Sequence, residues 1–178
     1  MQLQQIEKTQ YRKRLNVVIV SFILGFGALS VLYGSLLISL FSSVDMQVTT
    51  TDVEGKDNFK LNLIGVVLGL ITSAAILHRM RNHPFFKEIY YVWQVKQIQN
   101  LIYRKLGNVK NAVKNGDVNA MITLDYYYKS LKQIYYLDDN TITLSTVEKE
   151  HQEYLKMFEE MNLSISAEKF DKSMLNKL

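Results

Sequence analysis

The chain holds three histidines, seventeen acidic residues and no cysteine. Acid–base or metal chemistry would therefore have to come from His78, His83, His151 and the carboxylates. His78 and His83 stand five residues apart with Arg79 and Arg81 between them, a spacing and a charge setting that disfavour a bound cation. His151 stands alone on an apolar helical face, no carboxylate on its own helix is spaced to orient it, and there is no HExxH. A glycine-rich phosphate loop and a nucleophile–base pair are both missing from the sequence. Without cysteine, disulfides, thiol catalysis and thiolate metal sites are excluded together. No catalytic, cofactor-binding or metal-ligating residue is assigned, and a non-enzymatic protein is expected.

The elements that would position any site are dominated by two uncharged apolar runs, 16–41 and 61–77. The first has 26 residues, about 39 Å as a helix at 1.5 Å per residue, which exceeds a hydrocarbon core of ~30 Å and spans it with tilt. The second has 17, at the short end for a crossing, and Arg79 and Arg81 extend it by snorkelling. No charged residue falls inside either run, so neither a proton relay nor an ion-pair gate is built into them. The expected fold is all-α: a cytoplasmic N-terminal segment (1–15), a first transmembrane helix (16–41), a periplasmic loop (42–60), a second transmembrane helix (61–81) and a small helical cytoplasmic domain (82–178).

Basic residues near the spans set the orientation. Lys8, Arg12, Lys13 and Arg14 oppose the single Glu7 before the first run, and Arg79, Arg81, Lys87 and Lys96 oppose Glu88 after the second. Between the runs, four acids meet two lysines. Both termini are expected in the cytoplasm of a bacterial cell, with the loop outside the inner membrane. The first run is too long for a cleaved signal and no small-x-small site follows it, so it reads as an uncleaved anchor.

Beyond the second run, a bend is expected at 82–84, with Pro84 in the first turn of a new helix. From Tyr91, the residues Val95, Ile98, Ile102, Leu106, Val109 and Val113 recur three or four apart, predicting one amphipathic helix that stops at Asn115-Gly116. Asp117 is the expected N-cap of a second helix reaching Leu137, antiparallel to the first. Ser145-x-x-Glu148 reads as the capping box of a third, with Val147, His151, Tyr154, Phe158 and Met161 facing inward. Ser166 caps a short last helix to Leu175, expected at the surface or fraying.

Three groups of residues stand out as candidate sites. Arg79, Arg81, Phe85, Phe86, Lys87, Tyr90, Tyr91 and Trp93 form a basic and aromatic collar, the composition found at headgroup level against anionic lipid. Gly65, Gly69 and Ser73, with Ser30 and Gly34 in the first run, lie at four-residue intervals that let helix backbones approach closely. They serve either the hairpin's own packing or a dimer or larger partner complex. Tyr126, Tyr127, Tyr135 and Tyr136 put phenols on several sides of one helix, which suggests an interaction surface. Nearby Asp125, Asp138 and Asp139 argue against nucleic acid.

The stretches QIEKTQYRKRLNVVIVSFI, FKLNLIGVVLGLITSAAILHRMRNHPFFKEIYYVWQVKQ, IYRKL and NGDVNAM through YYLDDNTITL together resemble a family of small two-span bacterial inner-membrane proteins of unknown function. The resemblance implies the two-span architecture and no activity, and it transfers no functional residue. The expected role is protein interaction or membrane-complex assembly by the cytoplasmic helices, with a protein partner or a second copy and anionic lipid as partners. The alternative is lipid binding or modification at the inner leaflet.

Overall fold

The structure, a computed structural model, describes residues 2–41, 54–161, 163 and 165–176, with 54–57 described as backbone only. Helices α1 (Lys8–Phe41), α2 (Glu54–Met80), α3 (Lys87–Arg104), α4 (Leu106–Lys114), α5 (Val118–Leu137) and α6 (Thr141–Glu160) are followed by two short 3-10 turns, Ala167–Lys169 and Lys172–Asn176. The described residues contain no strand. The chain divides into two compact units, Lys13–Lys87 and a second made of Met1–Arg12 with Glu88–Leu178.

The first unit is a helical hairpin. Both helices are long and apolar enough to cross a membrane. Their side chains point outward almost everywhere, with Leu24, Val31, Leu40 and Ile71 more than half exposed. Continuous apolar surface of that extent is rare on a protein surrounded by water. α2 begins at Glu54, one to two turns before the apolar run, so it takes in the end of the expected 42–60 loop; residues 42–53 of that loop lie outside the described residues.

In the second unit, α5 is enclosed on nearly every side by α4, α6 and the two 3-10 turns. Ala120 through Tyr128 are all buried, an unbroken run that only a helix with neighbours on several faces can sustain. Its start follows from local chemistry: Gly116 takes φ +81°, which a glycine adopts without steric cost, and Asp117 accepts a hydrogen bond from Ala120 N at 3.0 Å. A buried bond from Gln99 Nε2 to Ser130 Oγ, 3.1 Å, ties α3 to α5.

Several expectations are corrected. The single helix expected over 91–113 breaks at Lys105, whose N–H bonds Ile102 O in a tight turn, and Val109 and Val113 beyond the break are buried in the core. α6 starts a turn before the proposed capping box, because Asn140 supplies the cap by accepting from Thr143 N. Pro84 sits in an 81–86 turn rather than in a helix. The last segment is 3-10 rather than α, and it is not a surface feature: Ala167, Phe170 and Leu175 are buried in the core.

The first twelve residues belong with the domain that follows the hairpin. Tyr91 Oη accepts from Gln4 N at 2.7 Å, Tyr11 is buried, and Lys8 and Arg12 both pair with Asp139, at 2.6 and 2.8 Å. Lys8 also lies 4.8 Å from the centre of the Tyr136 ring. They therefore pack as part of the second unit.

Candidate functional site

The two spans of the hairpin touch through their smallest residues. A Cβ on Gly65 would lie 2.5 Å from Gly34 N and 2.7 Å from its Cα, and one on Gly69 would lie 2.6 Å from Ser30 Oγ. Gly34, Gly65, Gly69 and Ser73 are the buried residues among those described in this unit, so the small-residue stripes read from the sequence meet within one chain. The pairings of Gly34 with Asn62 and of Ser30 with Gly69 run in opposite chain directions, as an antiparallel hairpin requires. Tyr33 Oη and Thr72 Oγ1 add a hydrogen bond at 3.1 Å.

Away from the connecting segment the helices part. Between the first half of α1 and the last turns of α2 lies a cleft of about 400 Å³, within the ~300–1,000 Å³ range of small-molecule sites. Phe22, Gly25 and Phe26 line one wall, Ser73 and Ile76 the other, and His83, Phe85 and Phe86 stand at its end. The lining is almost wholly apolar. Phe22 and Phe26 are stacked on one another at 6.1 Å and 10°. Gly25 leaves open space, with no atom within 4 Å of where its Cβ would be. Ser73 is its odd member, a buried hydroxyl oxygen with no hydrogen-bond partner among the described residues. At the same end, the Arg14 guanidinium lies 5.7 Å from the centre of the Phe85 ring, and Arg79, Arg81 and Lys87 are exposed.

A second polar constellation lies inside the helical domain. Asp125 on α5 is fully buried; its Oδ1 accepts from His151 Nε2 at 2.8 Å, and its Oδ2 accepts from Ala167 N at 2.8 Å and from Lys129 Nζ at 2.9 Å. Burial pushes this carboxyl up, but the hydrogen bonds and charges of His151 and Lys129 outweigh it and hold Asp125 below the usual carboxylate range. Tyr128 stacks on the His151 ring at 5.5 Å and donates from its hydroxyl to Glu150 Oε2 at 2.9 Å. Tyr126 stacks on Phe170 at 4.1 Å.

An aspartate orienting a histidine is half of a general-base device. Here, though, His151 is 1 % exposed and the Asp125 side chain 0 %, so no substrate reaches the pair in this conformation. What it does in this fold is join α5, α6 and the C-terminal 3-10 segment at one point. Two donors are also too few for a metal site, and among the described residues no three His, Asp or Glu side chains converge. The sequence alone does not reveal this pair, because its members are 26 residues apart on different helices and meet only through packing.

The other sequence-predicted residues divide by burial. Tyr126 and Tyr127 are core residues, which corrects their placement on an interaction surface; Tyr135 is half-buried and Tyr136 is exposed. Burial pushes the Tyr127 hydroxyl up to about 12. Tyr91 is likewise drawn from the expected collar into the core by its bond to Gln4. Trp93 is half exposed and stacks on Tyr90 at 5.5 Å. Phe85 and Phe86 are partly buried and in edge contact with each other.

No curated protein and no solved structure matches this chain. Residues 1–175 match a family model described as protein of unknown function (DUF3087), and with nearly the whole chain covered, the protein belongs to that family.

Proposed function

We propose that this is a non-enzymatic bacterial inner-membrane protein that binds lipid at the cytoplasmic leaflet through its hairpin. The observation that carries the reading is the apolar cleft between the spans, which ends at His83, Phe85 and Phe86 in a segment flanked by Arg79, Arg81 and Lys87. An apolar slot ending at a basic, aromatic rim has the polarity profile of a phospholipid, with chains below and an anionic headgroup above.

Supporting the topology, residues 1–12 pack with residues 88–178 in one unit. A chain that crosses a bilayer twice returns to the side it left, as that packing demands. The excess of basic residues flanking both runs supports the cytoplasm as this side. Native mass spectrometry of the full chain released from mild detergent tests the reading. A defined lipid adduct on each protomer, reduced in an Arg79→Gln, Arg81→Gln variant, is the expected result. A lipid-free protein, obtained under conditions that leave the fold intact, overturns it.

The assembly reading keeps one specific observation. Trp93 and Tyr103 are exposed on α3, with Tyr90 stacked on Trp93. Such rings are favoured at protein interfaces. If they mediate self-association, the purified protein is larger than a protomer and Trp93→Ser reduces its mass; a wild-type monomer rejects that role.

A further inference from the structure

The face of each span that lines the cleft ends in cations. On α1, Lys13 and Arg14 precede the lining residues Val17 and Val18 by one helical turn, and residues four apart share a face. Arg14 shows where that face leads, since its guanidinium lies 5.7 Å from the centre of the Phe85 ring at the cleft's end. On α2, Arg79 follows the lining residue Ile76 by three, and Arg81 stands between two more, Met80 and His83. The side chains of Lys13, Arg79 and Arg81 have no ion-pair partner among the described residues, and neither 13–41 nor 58–87 contains an Asp or Glu. His83 adds a donor: its Nδ1 accepts from Phe85 N at 3.2 Å, which leaves the ring proton of the neutral imidazole on Nε2.

The depth of the slot suits a lipid chain entering from this end. Met80 stands eleven residues beyond Gly69 on α2, about 16 Å at 1.5 Å per residue, and one leaflet of a ~30 Å hydrocarbon core is ~15 Å deep. The close contact of Gly69 with Ser30 is therefore the floor, and the cationic end is the mouth. A chain running inward from the mouth passes Phe22, Gly25 and Phe26 before the floor stops it. A headgroup with one phosphate would engage the cations of one span and leave those of the other unneutralised. Cations on both spans match a headgroup with two phosphates held apart. The general enrichment of basic residues beside cytoplasmic span ends accounts for their number, but not for their lying in line with the cleft on both helices.

We infer that the cleft selects cardiolipin, the lipid in which a glycerol joins two phosphatidyl groups. Lys13 and Arg14 hold one phosphate, Arg79, Arg81 and His83 hold the other, and one acyl chain fills the slot. Basic pockets between spans on the cytoplasmic side have the chemistry that cardiolipin headgroups require. This rests on the lipid-binding reading above and names the lipid.

The test offers the full chain, in mild detergent, cardiolipin against a twofold molar excess of phosphatidylglycerol with the same acyl chains, so that phosphates and chains are equal in number. Native mass spectrometry counts the lipid retained. One cardiolipin per protomer is expected, preferred by about tenfold or more. Each cation removed should lower the preference about fivefold, the equivalent of about 1 kcal/mol near a membrane surface. Lys13→Gln should show that loss, and Arg79→Gln with Arg81→Gln should bring the preference close to one. Lys60→Gln removes the same charge at the other end of the hairpin and should leave it unchanged. Gly25→Leu should reduce retention of both lipids, because a side chain there enters open space in the slot. Equal retention of the two lipids by the wild type, or an equal loss in Lys60→Gln, overturns the two-phosphate site; undiminished retention in Gly25→Leu overturns the chain's seat. All three results leave a lipid adduct in place, so the lipid-binding reading survives them, whereas the absence of any adduct is the failure of that reading itself.

Discussion

Replacing Asp125 with alanine should release the C-terminal segment from the helical domain. The carboxylate satisfies two buried donors, His151 Nε2 and Ala167 N, both at 2.8 Å, and a third, Lys129 Nζ, on a side chain that is 42 % exposed. Lys129 can turn to water. The other two donors have nowhere to go, and each buried donor left unsatisfied costs ~1–3 kcal/mol, or about 2–6 kcal/mol together. Asp125→Asn should be milder. Its amide oxygen still accepts from Ala167 N, and its NH2 can donate to His151 if the ring moves its proton from Nε2 to the otherwise unpartnered Nδ1. The remaining losses are the charge assistance, about 1 kcal/mol, and the one buried donor, His151 Nδ1–H, left without a partner, which keeps the variant between wild type and alanine. Hydrogen exchange of the full chain in detergent, read by mass spectrometry on peptides covering 165–176, measures the difference. Local opening more favourable by about 2 kcal/mol accelerates exchange about thirtyfold. Wild-type protection in Asp125→Ala, or equal damage from the asparagine and alanine variants, would refute the claim that this carboxylate holds the segment.

The same geometry sets three further outcomes. Gly65→Ala should spread the closed end of the hairpin, because its Cβ meets the Gly34 backbone rather than a movable side chain; spin labels at positions 38 and 58 should report a longer distance, while Gly25→Ala leaves it unchanged. The folded Asp125 carboxyl lies below its ordinary value of 3.8, so its contribution to stability is complete above that pH and is lost as pH falls through the lower folded value. An acid titration of 165–176 protection should therefore be flat from about pH 7 to about 4.5 and fall below pH 3.8, with a shallower fall in Asp125→Asn. Docking of residues 2–12 through Lys8, Arg12 and Asp139 should weaken with salt, since these pairs are exposed; exchange in that peptide should rise with sodium chloride in the wild type and become salt-independent in Asp139→Asn, which tolerates the φ of +62° at this position.

Features governed by neighbours along the chain are legible in the sequence. The Asn115-Gly116-Asp117 punctuation, the Ser166 cap and the lengths of the apolar runs depend on backbone conformation and composition over a few residues. The stripes at Gly34, Gly65 and Gly69 are legible as close-approach positions, and the geometry brings them into contact within the chain. Features set by distant partners are not legible. Tyr126 and Tyr127 read as surplus aromatic surface because no local pattern signals that Phe170 and the last 3-10 turns return to cover α5. The Asp125–His151 pair depends on the packing of α5 against α6. The cleft depends on how far two helices diverge beyond their contact, which no residue pattern specifies.

Lipid binding at the cytoplasmic leaflet presupposes a hairpin that crosses the bilayer twice and brings both ends of the chain to one face. The protein's lack of cysteine makes that directly measurable. Single cysteines introduced at Gln5, Thr50 and Lys156 can each be challenged with a membrane-impermeant maleimide in sealed inside-out vesicles. Labelling is expected at 5 and 156, and none at 50 until the vesicles are opened. Labelling of 5 and 156 from opposite faces, or extraction of the protein by alkaline carbonate, would contradict the double crossing.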